Sequence, residues 1–409
     1  MMKKIGYLFL ILCFISCESE LIETTPINEQ QQLQKASTTS TTDKGENVVI
    51  RFTDGLSATE KDAIRAEYGV ISYEACSCGD KNLESWDLET IHEGATIEER
   101  VTSMEQDPEM EGADFEFDIA ISSQVPTGVV ASQIHNQSVL QKIKTEKASV
   151  TIGVLDTGID PTYFGFEQAF LHNSSFDAET CGNELFGWNF VENNNLPFDD
   201  NGHGTIVSYL AYQQLENTGI NFEIVPAKAF NAEGKGSLFQ VGCGLSYLIN
   251  KKVNIINMSF GWTETSSTII ENYIKEVERD ILMVTSAGNT GLDNDLVAHF
   301  PSSYTTANIL AVTAVNNEIP PNLESPISNY GFVSVDIGVK GIGLPFYIEP
   351  ETAPISITGS SYSSAKAAGF SALKYQEGMS MSVFYHKILQ DKIQSSGLYQ
   401  IKYASYLDL

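Results

Sequence analysis

Residues 150–159 read Val150-Thr-Ile-Gly-Val-Leu-Asp-Thr-Gly-Ile159. Val150 to Leu155 is a short, largely apolar run, the pattern of a strand covered on both faces rather than one. It ends on a carboxylate, Asp156, and Gly158 lets the chain leave in a sharp turn. Runs of the same kind follow at Ile224–Phe230, Ile255–Phe260, Ile281–Thr285 and Ile309–Val315, with longer helix-like stretches between them. That alternation predicts an α/β fold, a parallel sheet with helices on both faces. Sites in such sheets lie at the carboxyl ends of strands, where Asp156 could orient an imidazole. Taken alone, Asp156 reads equally well as a turn or cap aspartate.

Three other segments bear on that choice. Asp200-Asn-Gly-His-Gly-Thr-Ile-Val-Ser208 sets His203 between two glycines at the start of an apolar helical stretch, and the glycines would allow a substrate backbone to come close. The other histidines (His92, His135, His172, His299, His386) lack such a setting and read as surface or packing residues. Thr358-Gly-Ser-Ser-Tyr-Ser-Ser-Ala-Lys-Ala-Ala-Gly369 opens a helix of small residues at Ser361. A helix N-terminus favours developing negative charge there, although a lone serine in that place is ordinarily a cap. Ser286-Ala-Gly-Asn289 follows the run Ile281–Thr285, and an amide at such a strand end can donate to an oxyanion. The order Asp, His, Ser differs from the chymotrypsin and α/β-hydrolase orders.

Together these segments resemble the subtilase family of serine peptidases, over roughly Ser122 to Leu409. The resemblance implies acyl transfer. Ser361 would attack the peptide carbonyl, His203 carry the proton and Asp156 hold the imidazole. Asn289 and the Ser361 N–H would bind the oxyanion. Asn257-Met-Ser-Phe-Gly261 is similar to the strand whose backbone lines the pocket for the residue before the scissile bond, which makes Ser259 and Gly261 substrate-binding positions; the resemblance implies that the rest of that pocket is formed largely by backbone and by residues such as His299. Gly234-Lys-Gly-Ser237 is similar to the edge segment that adds an extended substrate as a strand, with Gly234 and Gly236 as its binding positions. Departures fall at Ser360, where the family has Thr; at Ala365, where it has Pro; and at Gly338-Val-Lys-Gly341, which replaces Ala-Pro-Gly. An inactive relative that only binds peptides, and an adhesive surface protein, are the alternatives weighed against the peptidase. Both leave the retention of all four polar catalytic residues without a reason.

The residues before this region divide into three. Lys3 and Lys4 precede an apolar run, Ile5 to Ile15, too short to span a bilayer but suited to an export signal at 1–16. Ser16-Cys17 resembles a lipobox, which implies lipidation of Cys17. Residues 17–46 are rich in Gln, Thr, Ser and Glu and read as a lipidated, disordered tether. Residues 47–121 give the order βαββαβ, a small α+β ferredoxin-like domain, with capping boxes at Ser57/Glu60 and Thr96/Glu99 and a final strand in which Phe115, Phe117 and Ile119 alternate with acidic residues. The resemblance makes this domain an inhibitory propeptide, at once intramolecular inhibitor and folding aid. It makes residues 122–409 the catalytic domain, with Gln124-Val-Pro-Thr-Gly128 like a mature start. Self-cleavage near Ile121–Ser122 would then cut the link to the lipid and free the enzyme.

Composition sets outer bounds. The 409 residues are 42% hydrophobic and 19% charged, a globular balance with room for two domains. A net charge of -29 argues against nucleic acid or anionic lipid as partners. The expected partners are protein or peptide substrates, with the membrane reached through lipid only and the chain a monomer. No cofactor is required. The acidic loops at Asp199-Asp200 and Asp293-Asn-Asp295 are read as turn chemistry or as seats for structural calcium, which relatives carry. Besides Cys13 and Cys17 there are Cys76, Cys78, Cys181 and Cys243, and export permits disulfides. Cys181 with Cys243 is one pairing, two buried thiols the other reading, and Cys-Ser-Cys lacks the second ligand pair of a zinc site.

Overall fold

The computed structural model describes residues 47–123, 125–126, 128–129, 136–167, 169–263, 265–324 and 326–409. The expected signal peptide, the lipidation at Cys17 and the tether to Glu46 lie outside the described residues.

The first described module runs β1 (Asn47–Phe52), α1 (Ala58–Glu67), β2 (Val70–Ala75), β3 (Leu83–Leu88), α2 (Ile97–Met104), β4 (Met110–Phe115). Its sheet order β2-β3-β1-β4, antiparallel throughout, is the ferredoxin-like arrangement expected. Both helices begin on the capping boxes: Ser57 N–H donates to Glu60 Oε2 at 2.8 Å, and Thr96 N–H to Glu99 Oε2 at 2.9 Å. Val48, Ile50 and Phe52 point one way along β1, into a core with Ile64, Trp86, Val101 and Met104. Val49, on the opposite face with Leu83, belongs instead to a core shared with Leu155, Phe239 and Leu248.

The last strand departs from the expected one. It stops at Phe115, and a separate strand, β5 (Asp118–Ala120), pairs with residues 235–237. Phe115 is half-buried against the module's own core, whereas Phe117 and Ile119 are buried in the next one, so the alternation expected of one strand is shared between two partners. Phe117 buries its ring against Trp262 at a centroid distance of 5.6 Å. Side-chain periodicity reports which face is covered, not which strand does the covering.

Beyond it stands a nine-stranded sheet. In spatial order it runs Ile393–Gln394, Ser405–Leu407, Ile337–Lys340, Ile309–Val315, Leu282–Ser286, Ile255–Met258, β6 (Val150–Asp156), Phe222–Lys228 and Trp188–Asn189. Every neighbouring pair is parallel except the first. Consecutive strand residues part between two cores. Ile152, Val154, Ile255, Val284 and Val312 pack with Ile206, Tyr362 and Ala368, whereas Leu155, Ile256, Met283 and Ala311 pack with Phe239, Leu248 and Tyr273. Helices therefore cover both faces, as the continuous apolar runs require. The short strands at the two edges carry too few residues to show a period.

The cysteines pair differently from the expectation. Cys76 is bonded to Cys243 and Cys78 to Cys181, with Cα atoms 5.7 and 5.5 Å apart. Cys-Ser-Cys brings two sulfurs to one loop, and each finds a partner far along the chain, beyond residue 180. Both bridges span the expected cleavage point, so a cut near Ser122 leaves the two parts joined. The release expected from chain order alone does not follow.

Among the described residues no helix is long and apolar enough to cross a membrane.

Candidate active site

Asp156, His203, Asn289 and Ser361 each sit where a regular element ends or begins at the carboxyl edge of the large sheet. Asp156 is the last residue of β6, His203 opens the helix His203–Leu215, Asn289 follows the strand Leu282–Ser286, and Ser361 is the second residue of the helix Ser360–Lys374. Ser361 is therefore not the cap of its helix; Gly359 holds that place and offers no side chain to the first-turn N–H groups.

His203 Nδ1 donates to Asp156 Oδ1 at 2.8 Å, with both side chains buried. Asp156 Oδ1 also accepts the Thr157 N–H at 2.8 Å. His203 Nε2, buried too, has no hydrogen bond. The ring lies 5.8 Å from the Tyr362 ring, next to Ser361. The Ser361 hydroxyl donates to the Ser259 carbonyl at 2.9 Å and accepts from Ser123 Oγ at 2.9 Å.

Asn289 is fixed so that its donor faces the cleft. Its Oδ1 accepts the Ser360 N–H at 2.7 Å, which aims Nδ2 at the hydroxyls of Ser122, 3.1 Å away, and Ser123, 3.3 Å away. Ser360 Oγ accepts the Gly288 N–H at 3.1 Å, so a serine does the bracing here.

A strand of the chain itself lies in the cleft. Ile119 stands opposite Gly236, the Ile121 N–H donates to Gly234 O at 2.9 Å, and Ala120 bridges to Gly261 on the other side. Gly234, Gly236 and Gly261 thus bind extended backbone by strand addition. Ser259 lies one step further on, its hydroxyl held by Asn257 and Ser364 while its carbonyl faces Ser361.

Asp199 and Thr157 hold the site together, and sequence reading gave them no such role. Asp199 accepts from the N–H groups of Asn201, Gly202 and Thr205 and the hydroxyls of Thr157 and Thr205, all within 2.6–3.0 Å. Burial pushes its carboxyl pKa up, and these hydrogen bonds pull against the shift. Four residues ahead of a helix-opening histidine, this aspartate carries the signal of a cap. The flanking glycines have structural reasons: Gly202 has φ +107°, and a Cβ on Gly204 would collide with the Gly158 carbonyl. The approach of a substrate backbone, the reason expected for both, is not what excludes a side chain at Gly204.

Neither acidic loop fits calcium. Asp199 is surrounded by hydrogen-bond donors, and Asp200 pairs with buried Lys228 at 2.6 Å. Asp295 accepts from the Val333 and Ser334 N–H groups and the Ser334 hydroxyl; Asp293 caps the Asp295 N–H. Calcium takes six to eight oxygen ligands, and N–H donors occupy those directions. The cluster of Cys78, Cys181 and Glu184 is a disulfide beside a carboxylate, without thiolates to bind metal.

The sequence profile of the subtilase family matches residues 147–392. The thermostable alkaline protease of Halalkalibacterium halodurans is 26% identical over 306 residues, covering 71% of this chain and 76% of that one. Thermitase of Thermoactinomyces vulgaris is 26% identical over 265 residues, covering 63% and 86%. A crystal structure of a cold adapted subtilisin-like serine proteinase aligns with a TM-score of 0.48 at 20% identity, covering 64% and 89%. A profile match over more than half its length, from just before β6 to beyond the Ser361 helix, shows that the chain belongs to the subtilase family of serine endopeptidases.

Proposed function

We propose that the chain is an exported endopeptidase precursor that cuts itself between Ser122 and Ser123 and then hydrolyses peptide bonds in other proteins, with Asp156, His203 and Ser361 as its triad. The observation that carries this reading is the strand Asp118–Ala120 in the cleft, which brings the two serines, one on each side of a single peptide bond, to Asn289 and Ser361.

The chemistry starts with a rotation. The Ser361 hydroxyl turns from Ser259 O to His203 Nε2, which is a free acceptor because Asp156 holds the proton on Nδ1. The Oγ–H bond breaks toward Nε2 as the Oγ–C bond forms at the Ser122 carbonyl. Asn289 Nδ2 and the Ser361 N–H receive the oxyanion. The C–N bond then breaks, the proton on Nε2 passes to the leaving amine of Ser123, and water releases the acyl group by the reverse route.

The module of residues 47–121 serves as intramolecular inhibitor and folding aid. It fills the cleft with its own strand and caps the helix Thr268–Glu276, where Asp114 accepts from Ser267 Oγ at 2.7 Å and the Ile269 N–H at 3.0 Å. Two disulfides fit an oxidising compartment, in keeping with the export signal and with lipidation at Cys17.

Labelling with a fluorophosphonate tests the reading. The peptidase reacts, and peptide mapping finds the adduct on Ser361. A folded chain that takes no label, with or without the module, sinks the proposal in favour of a peptide-binding relative.

A further inference from the structure

Resting on that reading and narrowing its substrate class, we propose that His299 closes the slot beside the scissile bond, so that the enzyme accepts only small residues immediately before it. His299 is buried and paired in a strand with Thr263, and its Nδ1 lies 3.1 Å from Ser302 Oγ. The outer edge of the ring stands between two stretches of backbone. A Cβ on Gly261 would collide with Cε1, and one on Gly288 would lie 3.0 Å from Cδ2. These stretches flank Ser122: Ala120, two residues earlier, bridges Gly261, and Asn289, next to Gly288, donates to the Ser122 hydroxyl. On this placement the imidazole fills the space a larger side chain would enter, while the Ser122 side chain is small and exposed. Burial pushes the His299 pKa down to about 4, so the ring is neutral and offers an acidic side chain no charge. Three residues upstream the opposite holds. Ile119 is fully buried in the core that contains Phe230, Leu238 and Phe260. The favoured substrate is therefore apolar at the Ile119 position and small at the Ser122 position.

Self-cleavage of the full chain provides the assay, read as intact mass against time. Ser122→Ala and Ser122→Gly should cut at near the parent rate, whereas Ser122→Leu and Ser122→Phe should slow by about tenfold or more, the scale of discrimination a misfit in a pocket gives. His299→Ala placed in the Ser122→Phe chain should recover most of that loss. Equal rates across the Ser122 series, or a slow Ser122→Phe that His299→Ala leaves slow while still taking fluorophosphonate, would overturn the inference and spare the peptidase. A parent chain that neither cuts nor labels removes the peptidase reading and this inference with it.

A different observation carries a second inference. Cys76 and Cys78 precede the Ser122–Ser123 bond, and their partners Cys243 and Cys181 follow it. We infer that the cut product is a two-chain protein in which the module stays over the cleft. Cys76, Cys78 and Cys243 are buried, which shields both bridges from thiols in solution. Held at two points, the module keeps a high effective concentration at its own groove, so strand β5 rebinds faster than a free peptide of the same sequence could compete. Arg51 reinforces the contact by pairing with Asp80 and Glu111 of the module and Glu276 of the helix Thr268–Glu276. Gels of the cut protein decide it: one band of full mass without reductant and two with a dithiol support retention, and two bands without reductant overturn it. Cys76→Ser with Cys78→Ser should raise hydrolysis of a fluorogenic Ile-Ala-Ile-Ser peptide by about tenfold or more, given effective concentrations of this order. Equal rates from the variant and the bridged protein, at equal fluorophosphonate titre, would show that retention does not occlude the cleft.

Discussion

Thr157 Oγ1 donates to Asp199 Oδ1 at 2.8 Å and accepts the Gly204 N–H at the same distance. One hydroxyl thereby ties the residue after Asp156 to the residue after His203. The Asp156–His203 hydrogen bond, 2.8 Å long, lies within the frame that this tie closes. A loose sheet edge and a separate helix start become one unit with fixed geometry, as preorganised catalysis needs.

Asp199→Asn tests that unit. The amide keeps one acceptor oxygen but turns an NH₂ toward donors that already point inward, leaving buried groups unpaired. Such losses cost about 2–4 kcal/mol. Chemical denaturation should show a drop of that size. The rate of self-cleavage should fall even at temperatures where the variant is fully folded. Thr157→Val, which deletes the tie and keeps the shape, should lower the rate with a smaller effect on stability.

Asn289→Ala removes the amide donor and, with Oδ1, the acceptor for the Ser360 N–H. Self-cleavage should slow by about 10²- to 10³-fold, the loss known for removal of an oxyanion-hole amide in a subtilisin. Fluorophosphonate labelling of Ser361 should slow as well, because that reaction also develops negative charge on oxygen. A loss below tenfold would place the oxyanion elsewhere.

His172 predicts a pH dependence of stability far from the cleft. Burial opposes its protonation, but Asp177 at Nε2 (2.8 Å) and Glu223 at Nδ1 (2.9 Å) outweigh burial and raise its pKa to about 9. Lys251 faces the same cluster, paired with Asp177 and Glu184 at 2.8 Å, and supports the carboxylates. The unfolded value is about 6.5. A histidine whose folded pKa is raised contributes stability fully below the unfolded value and loses it as pH rises through the folded one. The melting temperature should fall between about pH 6.5 and 9. His172→Gln should be less stable at pH 6 and much flatter over that window. An unchanged slope in the variant would assign the titration to another group.

The residues that the fold gathers at the candidate site were the easiest to single out in the sequence, for a physical reason. Asp156, His203, Asn289 and Ser361 sit where elements end, and such ends are marked by glycines and by breaks in apolar period. The five central strands were legible because both their faces are covered, which leaves an unbroken apolar run. Cysteine pairing was not legible: Cys76 and Cys243 are 167 residues apart, and no local pattern reports their meeting. The break after Phe115 stayed hidden because apolar residues at 115, 117 and 119 spell period 2 in the sequence even though they serve two different cores. Asp199 stood in plain sight beside Asp200, but of its five donors only four come from the neighbouring residues 201–205, and the fifth, Thr157, reaches it from 42 residues away. Acidity left turn chemistry and a cation both open, and the fold supplies N–H and O–H groups to these carboxylates. His299 had no motif around it, and its place between Gly261 and Gly288 depends on a loop that only the folded chain positions.

The central claim, that this chain cuts its own Ser122–Ser123 bond with Ser361, is tested most directly by intact masses of the parent and of Ser361→Ala, taken under reducing conditions after purification. The account predicts two fragments meeting at Ser122–Ser123 from the parent and a single uncut chain from Ser361→Ala. Fragments of identical mass from both proteins would show that another protease makes the cut, and an uncut parent would show that the strand in the cleft is bound without being a substrate.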